Sequence, residues 1–294
     1  MSSLIAAKQK LILSAVACLG VLALSVPSVQ ASNPTLDVIG PHEYSLPVNY
    51  KSFNVFVQYA YYQSENEAFS PNGGKAPGPH TAKAVGLSKY VRFFTLDSLP
   101  NVGLAYEVIL PEISVQGKGV NATGIGDPIT GPAMWFKPTA NSTFGIQSFL
   151  QIPMGTKDVS DGSWKCLTSF LYDIQLGKFN IDGDTGFVYQ SKAHRSGLPD
   201  VDPGTTFHQN LRFGYRAHQY IEPFIAYDFG ITGSAKDENG KTIANSATYE
   251  HAVGGGLMFH FSDNISLTAR YSYGIDGTNT NRTNSLNIKF AYVW

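Results

Sequence analysis

The chain predicts an all-β protein, a transmembrane antiparallel β-barrel of about twelve strands with short turns at one end and longer loops at the other. Three observations predict it. Beyond residue 50 the sequence falls into about twelve segments of alternating apolar and polar or small side chains, each long enough to cross a bilayer as a tilted strand. Long and short connections between them alternate. The last segment, Ser285 to Trp294, sets Leu286, Ile288, Phe290, Tyr292 and Trp294 on one side of a period-two ribbon, with Asn287, Lys289, Ala291 and Val293 on the other.

Taken in order, the chain starts with Lys8 and Lys10, an apolar run over 11–26, Pro27, and Val29, Gln30 and Ala31. That is the layout of a secretory signal peptide over 1–31, cleaved after Ala31, and it implies export. Cys18 lies in that run, so Cys166 alone remains and no disulfide within the chain is expected. Residues 32–50 carry Pro34, Pro41 and Pro47 without clear alternation and read as an N-terminal lead-in or small plug. Residues 51–294 are the barrel.

The strand candidates are 53–63, 86–96, 102–115, 127–137, 143–153, 165–177, 179–191, 206–217, 220–232, 247–261, 264–274 and 284–294. Long polar connections over 64–85, 116–126, 154–164, 192–205, 233–246 and 276–283 alternate with short ones at 97–101, 138–142, Lys178, 218–219 and 262–264. An outer-membrane barrel, with periplasmic turns and outer loops, sorts its connections in this way. A soluble sandwich has little reason to.

Composition agrees. Charged residues are 15% of the chain, against roughly 25% in soluble domains, and the net charge is −1, which excludes a nucleic-acid footprint. Tyr 16, Phe 18 and Gly 29 are high, and no later apolar run reaches membrane-helix length.

If the apolar face meets lipid, parity sends Gln58, Arg92, Glu107, Gln147, Gln151, Asp173, His208, Asn210, Arg212, Arg216, His218, Glu222, Asp228, Glu250, His260, Arg270 and Lys289 inward. Phe53, Val55, Val57, Tyr59 and Tyr61 then face lipid. Phe56, Tyr62, Phe94, Phe149 and Phe224 form an aromatic inner wall. Five basic and five acidic inner groups balance, unlike the one-signed ring of a charge-selective pore. Two readings coexist: the charges pair because an unpaired buried charge is costly, or they line and gate a path for a small neutral solute.

Gly124, Gly126, Asp127 and Pro128 open the fourth segment, and Leu150, Gln151, Ile152, Pro153, Met154 and Gly155 end the fifth, followed by Asp158 and Trp164. With the signal peptide and the aromatic last strand, these stretches resemble the outer-membrane family named for the MetA pathway of phenol degradation. The resemblance spans about Val48 to Trp294, and the family is distantly similar to fatty-acid and aromatic-hydrocarbon channels. It implies transport of hydrophobic or aromatic compounds. Here Asp161 to Cys166 lacks the proline that family members show after the tryptophan.

Other classes have less to stand on. His194 and Ser196 have the His-x-Ser spacing of a hydrolase on a barrel wall, but they lie in a loop with no evident orienting carboxylate. His208 and His218 lie at opposite ends of one strand and share no metal. Small polar loops argue against adhesion. The expectation is therefore a monomeric or weakly oligomeric, passive outer-membrane channel for small hydrophobic or aromatic compounds, with no enzyme activity and no cofactor. Its partners are the bilayer, the solute, and the barrel assembly machinery that reads Phe290, Tyr292 and Trp294.

Overall fold

A computed structural model describes residues 40–194, 197 and 199–294. The expected signal peptide lies outside the described residues, as does Ser196. The strands are β1 (Phe53–Phe69), β2 (Lys75–Phe94), β3 (Val102–Gly117), β4 (Val120–Ile125), β5 (Ile129–Thr139), β6 (Ser142–Gln151) and β7 (Lys165–Leu176). They continue with β8 (Phe179–Gln190), β9 (Thr206–Tyr215), β10 (Ile221–Thr232), β11 (Thr248–His260), β12 (Ile265–Thr278), β13 (Thr280–Asn281) and β14 (Asn284–Val293).

Neighbours pair antiparallel, and β1 pairs with both β2 and β14, so the sheet closes on itself. Closure leaves no strand edge facing hydrocarbon, which a membrane-spanning sheet requires. Twelve strands make the wall; β4 and β13 are two additional short strands. The first extends the β5 side of β3, pairing Val120–Ile125 with Glu112–Gly117, and the second caps the end of β1 at Ala68 and Phe69.

The hairpin of β1 and β2 runs much further than its alternation predicts. Residues expected as loop are paired, including Ser64 with Ala82 and Ala68 with Ala76. Pro77 and Pro79 fit into β2 beside a register shift at Glu65 to Glu67, and Gly78 is required there because a Cβ would lie 2.4 Å from the Glu65 carbonyl oxygen.

At the fourth segment the chain breaks over 126–128 instead of opening one strand. The Asp127 carboxylate accepts hydrogen bonds from Gly155 N at 2.9 Å, Asp161 N at 2.9 Å and Ser160 Oγ at 2.7 Å. Gly155 approaches so closely that a Cβ would meet the Gly126 carbonyl carbon at 2.6 Å. The two sequence stretches noted above are therefore one unit that folds the 152–164 loop onto the rim.

On the outer face Ile146, Leu150, Phe170, Phe213, Ile225, Leu257, Tyr271, Leu286, Ile288 and Phe290 are exposed. Rings gather into two girdles. Near the turns Phe136, Phe144 and Phe170 follow one another at 6.4 and 6.0 Å, with Phe179 beside Tyr215 and Tyr292 beside Trp294. Near the loops Phe187, Phe207, Phe229 and His251 form a second row at 5.3, 6.2 and 4.5 Å. An apolar band between aromatic rows is the surface a bilayer covers.

Parity is reversed on β1 and β2. Val57, Tyr59 and Tyr61 are buried and face inward, as do Lys89, Val91 and Phe93, whereas Phe56, Tyr62, Arg92 and Phe94 lie on the outer side. Arg92 Nη1 donates to Asn54 Oδ1 at 2.9 Å, and Gln58 meets Ser88, which also contacts Glu112, at 2.7 Å. The expectation failed for a physical reason. Leu46, Val48 and Tyr50 of the lead-in pack against Val91, Phe93, Ala105, Trp135 and Leu171, so the inner face here is itself an apolar core.

Candidate functional site

The described part of the lead-in, residues 40–50, lies inside the barrel and bonds to strands all around it. Consecutive residues reach opposite walls. His42 Nε2 lies 2.8 Å from Glu222 Oε1 on β10, and Nδ1 lies 3.8 Å from Asp173 Oδ2 on β7. Glu43 pairs with Lys289 of β14, lies 3.8 Å from Lys89 of β2, and accepts the Tyr59 hydroxyl at 2.7 Å. Tyr44 N donates to Asp182 at 2.9 Å. Trp135 Nε1 donates to the Pro47 carbonyl at 2.6 Å while its ring stacks on Tyr50 at 6.3 Å. Gly103 makes room for that indole, since a Cβ would fall 2.1 Å from the ring.

Burial alone would push the His42 imidazole down, but the Asp173 and Glu222 carboxylates outweigh it and raise it from 6.5 to about 9. Burial would likewise raise Glu43, yet Lys289 and Lys89 hold it at about 2, below its ordinary 4.5. The signs give a window. The contribution of His42 is complete below pH 6.5 and is lost as pH rises through about 9; that of Glu43 is complete above 4.5 and is lost as pH falls through about 2. Docking of this segment is expected to be tightest between about pH 4.5 and 6.5 and to loosen at alkaline pH. Protease access to residues 40–50 checks it; access that stays flat from pH 6 to about 10 would contradict the assignment of His42 as a pin.

The lumen has two unlike walls. From β8 to β12 it is polar: Asp182, Asp184, His208, Asn210, Arg212, Glu222, Asp228, Arg270 and Ser272 are buried. Asp228 sits between Arg212, whose Nη1 is 2.8 Å away, and Arg270. From β1 to β7 it is mainly apolar. Val57, Val91, Ala105, Ile109, Ile129, Ala133, Phe149, Leu167 and Leu171 line a cavity of about 430 Å³ between wall and plug. The charges at its edge cancel, since Lys89 lies 2.7 Å from Glu107 and Lys289 pairs with Glu43.

Of the residues expected on the path, Glu107, Lys289 and Phe149 border this cavity. Arg212, Asp228 and Arg270 belong to the polar wall, Asp173 is buried on β7, and Phe224 packs inward near Gly256. Glu250 sits nearer the loops, accepting Thr283 N at 2.6 Å. Arg216 reaches Glu222 at the turn end with Nε at 3.2 Å, apart from Arg212, so the two arginines form no cluster. Arg92, Phe56 and Phe94 are outside the lumen. Sequence reasoning missed His42, Glu43, Lys89, Trp135, Asp182 and Asp184. One signal was available: Tyr44, Leu46, Val48 and Tyr50 alternate and announce a segment that packs one face.

Two histidines touch on hydrolase chemistry. His194 has a carboxylate partner after all, Asp200 at 2.9 Å, on an exposed loop. Inside, Ser169 Oγ lies 3.3 Å from His208 Nε2, but Asp184 is 3.6 Å from Nδ1, and Asn210 takes an Asp184 oxygen at 2.8 Å. Nδ1 instead meets the Asn210 amide nitrogen at 3.4 Å, a donor that leaves the ring proton on Nε2 and so faces Ser169 with the wrong tautomer for a base.

Among solved structures, the chain is similar to the COG4313 outer membrane channel from Pseudomonas putida F1, with 17% identity and a TM-score of 0.77 over 87% of this chain and 100% of that one. It also resembles the β domain of the Bordetella autotransporter BrkA, at 10% identity and a TM-score of 0.50 over 83% of this chain and 99% of that one. At such identities these likenesses speak for the barrel fold. Among curated proteins none matches. A family model, putative MetA-pathway of phenol degradation, matches residues 65–292, and the chain belongs to that family.

Proposed function

We propose that the protein is a passive outer-membrane channel for small hydrophobic or aromatic solutes, reached by export and insertion through the aromatic last strand Phe290, Tyr292 and Trp294. The observation that carries this is the apolar side of the lumen: a cavity of about 430 Å³, within the size range of small-molecule sites, whose bordering charges are already paired. A charged solute finds no free counter-ion there, and a neutral apolar one loses little on entering. The polar wall opposite holds the barrel's shape, with Arg212, Asp228 and Arg270 satisfying one another. Glu107, Asp173, Glu222 and Lys289 position the plug segment or its neighbours, so that Glu43 and His42 act as the gate. No step needs a cofactor or a covalent intermediate.

The name of the Pseudomonas putida structure, an outer membrane channel, supports the reading. The test is uptake into proteoliposomes whose outer leaflet is lipopolysaccharide, comparing a neutral aromatic with its carboxylate of similar size. Faster entry of the neutral solute is expected. Equal exclusion of both by a folded barrel would favour a purely structural role.

A further inference from the structure

Resting on the channel reading just given, we infer that Gln147 is the specificity-determining residue of the cavity, selecting apolar solutes that carry one neutral hydroxyl or carbonyl group over plain hydrocarbons. Gln147 occupies an inward position on β6, paired across to Ala133 on β5 and Ser169 on β7, and all three line the cavity. Its same-face strand neighbours are Phe149 and, on the turn side, Gly145, where a Cβ would meet Trp135 and Leu171, so the amide stands among apolar cavity residues.

Most other polar groups on the cavity wall are engaged. Lys89 meets Glu107, Lys289 meets Glu43, Tyr59 donates to Glu43, Ser169 contacts His208, and Ser45 receives Gln175. Among the described residues lining the cavity, the side chains of Gln147, Ser266 and Tyr44 have no hydrogen-bond partner, and the Tyr44 hydroxyl is flanked by the carboxylates of Asp184, Glu43 and Asp182. Ser266 lies near the turns, next to the strand start at Ile265, whereas Gln147 stands midway along β6 between Phe149 and Gly145. A carboxamide offers one acceptor and two donor hydrogens. In an apolar cavity those groups favour a ligand that brings a neutral hydrogen-bonding atom, and a hydrocarbon leaves them unmatched. A charged group is disfavoured by the paired lysines and glutamates.

The test compares benzyl alcohol with ethylbenzene, which share a shape and differ by hydroxyl against methyl. Binding is measured by equilibrium dialysis against nanodiscs carrying the full barrel, with empty nanodiscs subtracted, for wild type and Gln147→Leu. Wild type is expected to prefer the alcohol by about three- to tenfold relative to empty nanodiscs, and Gln147→Leu to lose that preference while holding ethylbenzene as well or better. Ser266→Ala is expected to keep the preference. The same preference in Gln147→Leu as in wild type would overturn the inference and leave the channel reading intact. Absence of binding by either compound to folded wild-type barrel would overturn both.

Discussion

Excising residues 40–48 is expected to raise solute flux through the barrel by about tenfold or more and to erase the proposed preference for neutral over charged solutes. The segment touches both walls: His42 is held by Glu222 and Asp173, Glu43 by Lys289 and Lys89, and the Pro47 carbonyl by Trp135. Removing it takes Glu43 away from Lys289 and leaves one uncompensated cation on the cavity wall beside the remaining Lys89–Glu107 pair. It also removes Tyr44 from the inner core and the partly buried Leu46 and Val48 packed against it, a fully buried apolar side chain being worth roughly 1.5–3 kcal/mol and a partly buried one less. Greater flux should therefore come with a barrel that unfolds more easily. Single-channel conductance and urea unfolding of the same variant check both halves. Unchanged conductance would mean that the route runs elsewhere.

The second large effect concerns stability alone. Asp228 is fully buried between two guanidiniums, with Arg212 Nη1 at 2.8 Å and Arg270 on its other oxygen. Asp228→Ala removes the carboxylate held between two buried guanidiniums and is expected to cost about 3–5 kcal/mol. Replacing the group together, as Arg212→Met, Asp228→Leu and Arg270→Met, should recover most of that loss, because the desolvation of all three charges disappears with them. Urea unfolding in lipid vesicles measures it. A loss below about 1 kcal/mol for Asp228→Ala would show that water or movement relieves the arginines.

Much of this fold could be read from residues alone, and the failures have one source. A period of two says which side chains share a face, but not which face turns inward. On β8 to β12 the answer is plain, because Asp182, Asn210, Arg212, Asp228 and Arg270 stand opposite Phe213, Ile225 and Tyr271. On β1 and β2 both faces are apolar or mixed, and the choice depends on Leu46, Val48 and Tyr50 filling the lumen from a distant stretch of chain. Arg92, Phe56 and Phe94 were misplaced for that reason. The short strands β4 and β13 depend on loop packing, through Asp127 in one case and Phe69 in the other, and carry little alternation of their own. Within the candidate site, Glu107, Phe149 and Lys289 could be placed by parity, whereas His42, Glu43 and Trp135 acquire roles only once the lead-in is seen inside the wall.

Solute is proposed to cross along the apolar half of the lumen. The most direct measurement is uptake of the neutral aromatic into the lipopolysaccharide-faced proteoliposomes by wild type and by Leu167→Glu. Leu167 is buried among Ile129, Phe149 and Val188, so this change puts an unpaired carboxylate on the cavity wall. With folding verified by heat-modifiable mobility, the variant is predicted to lose about tenfold in neutral uptake. A folded Leu167→Glu barrel that takes up the solute at the wild-type rate would contradict the account.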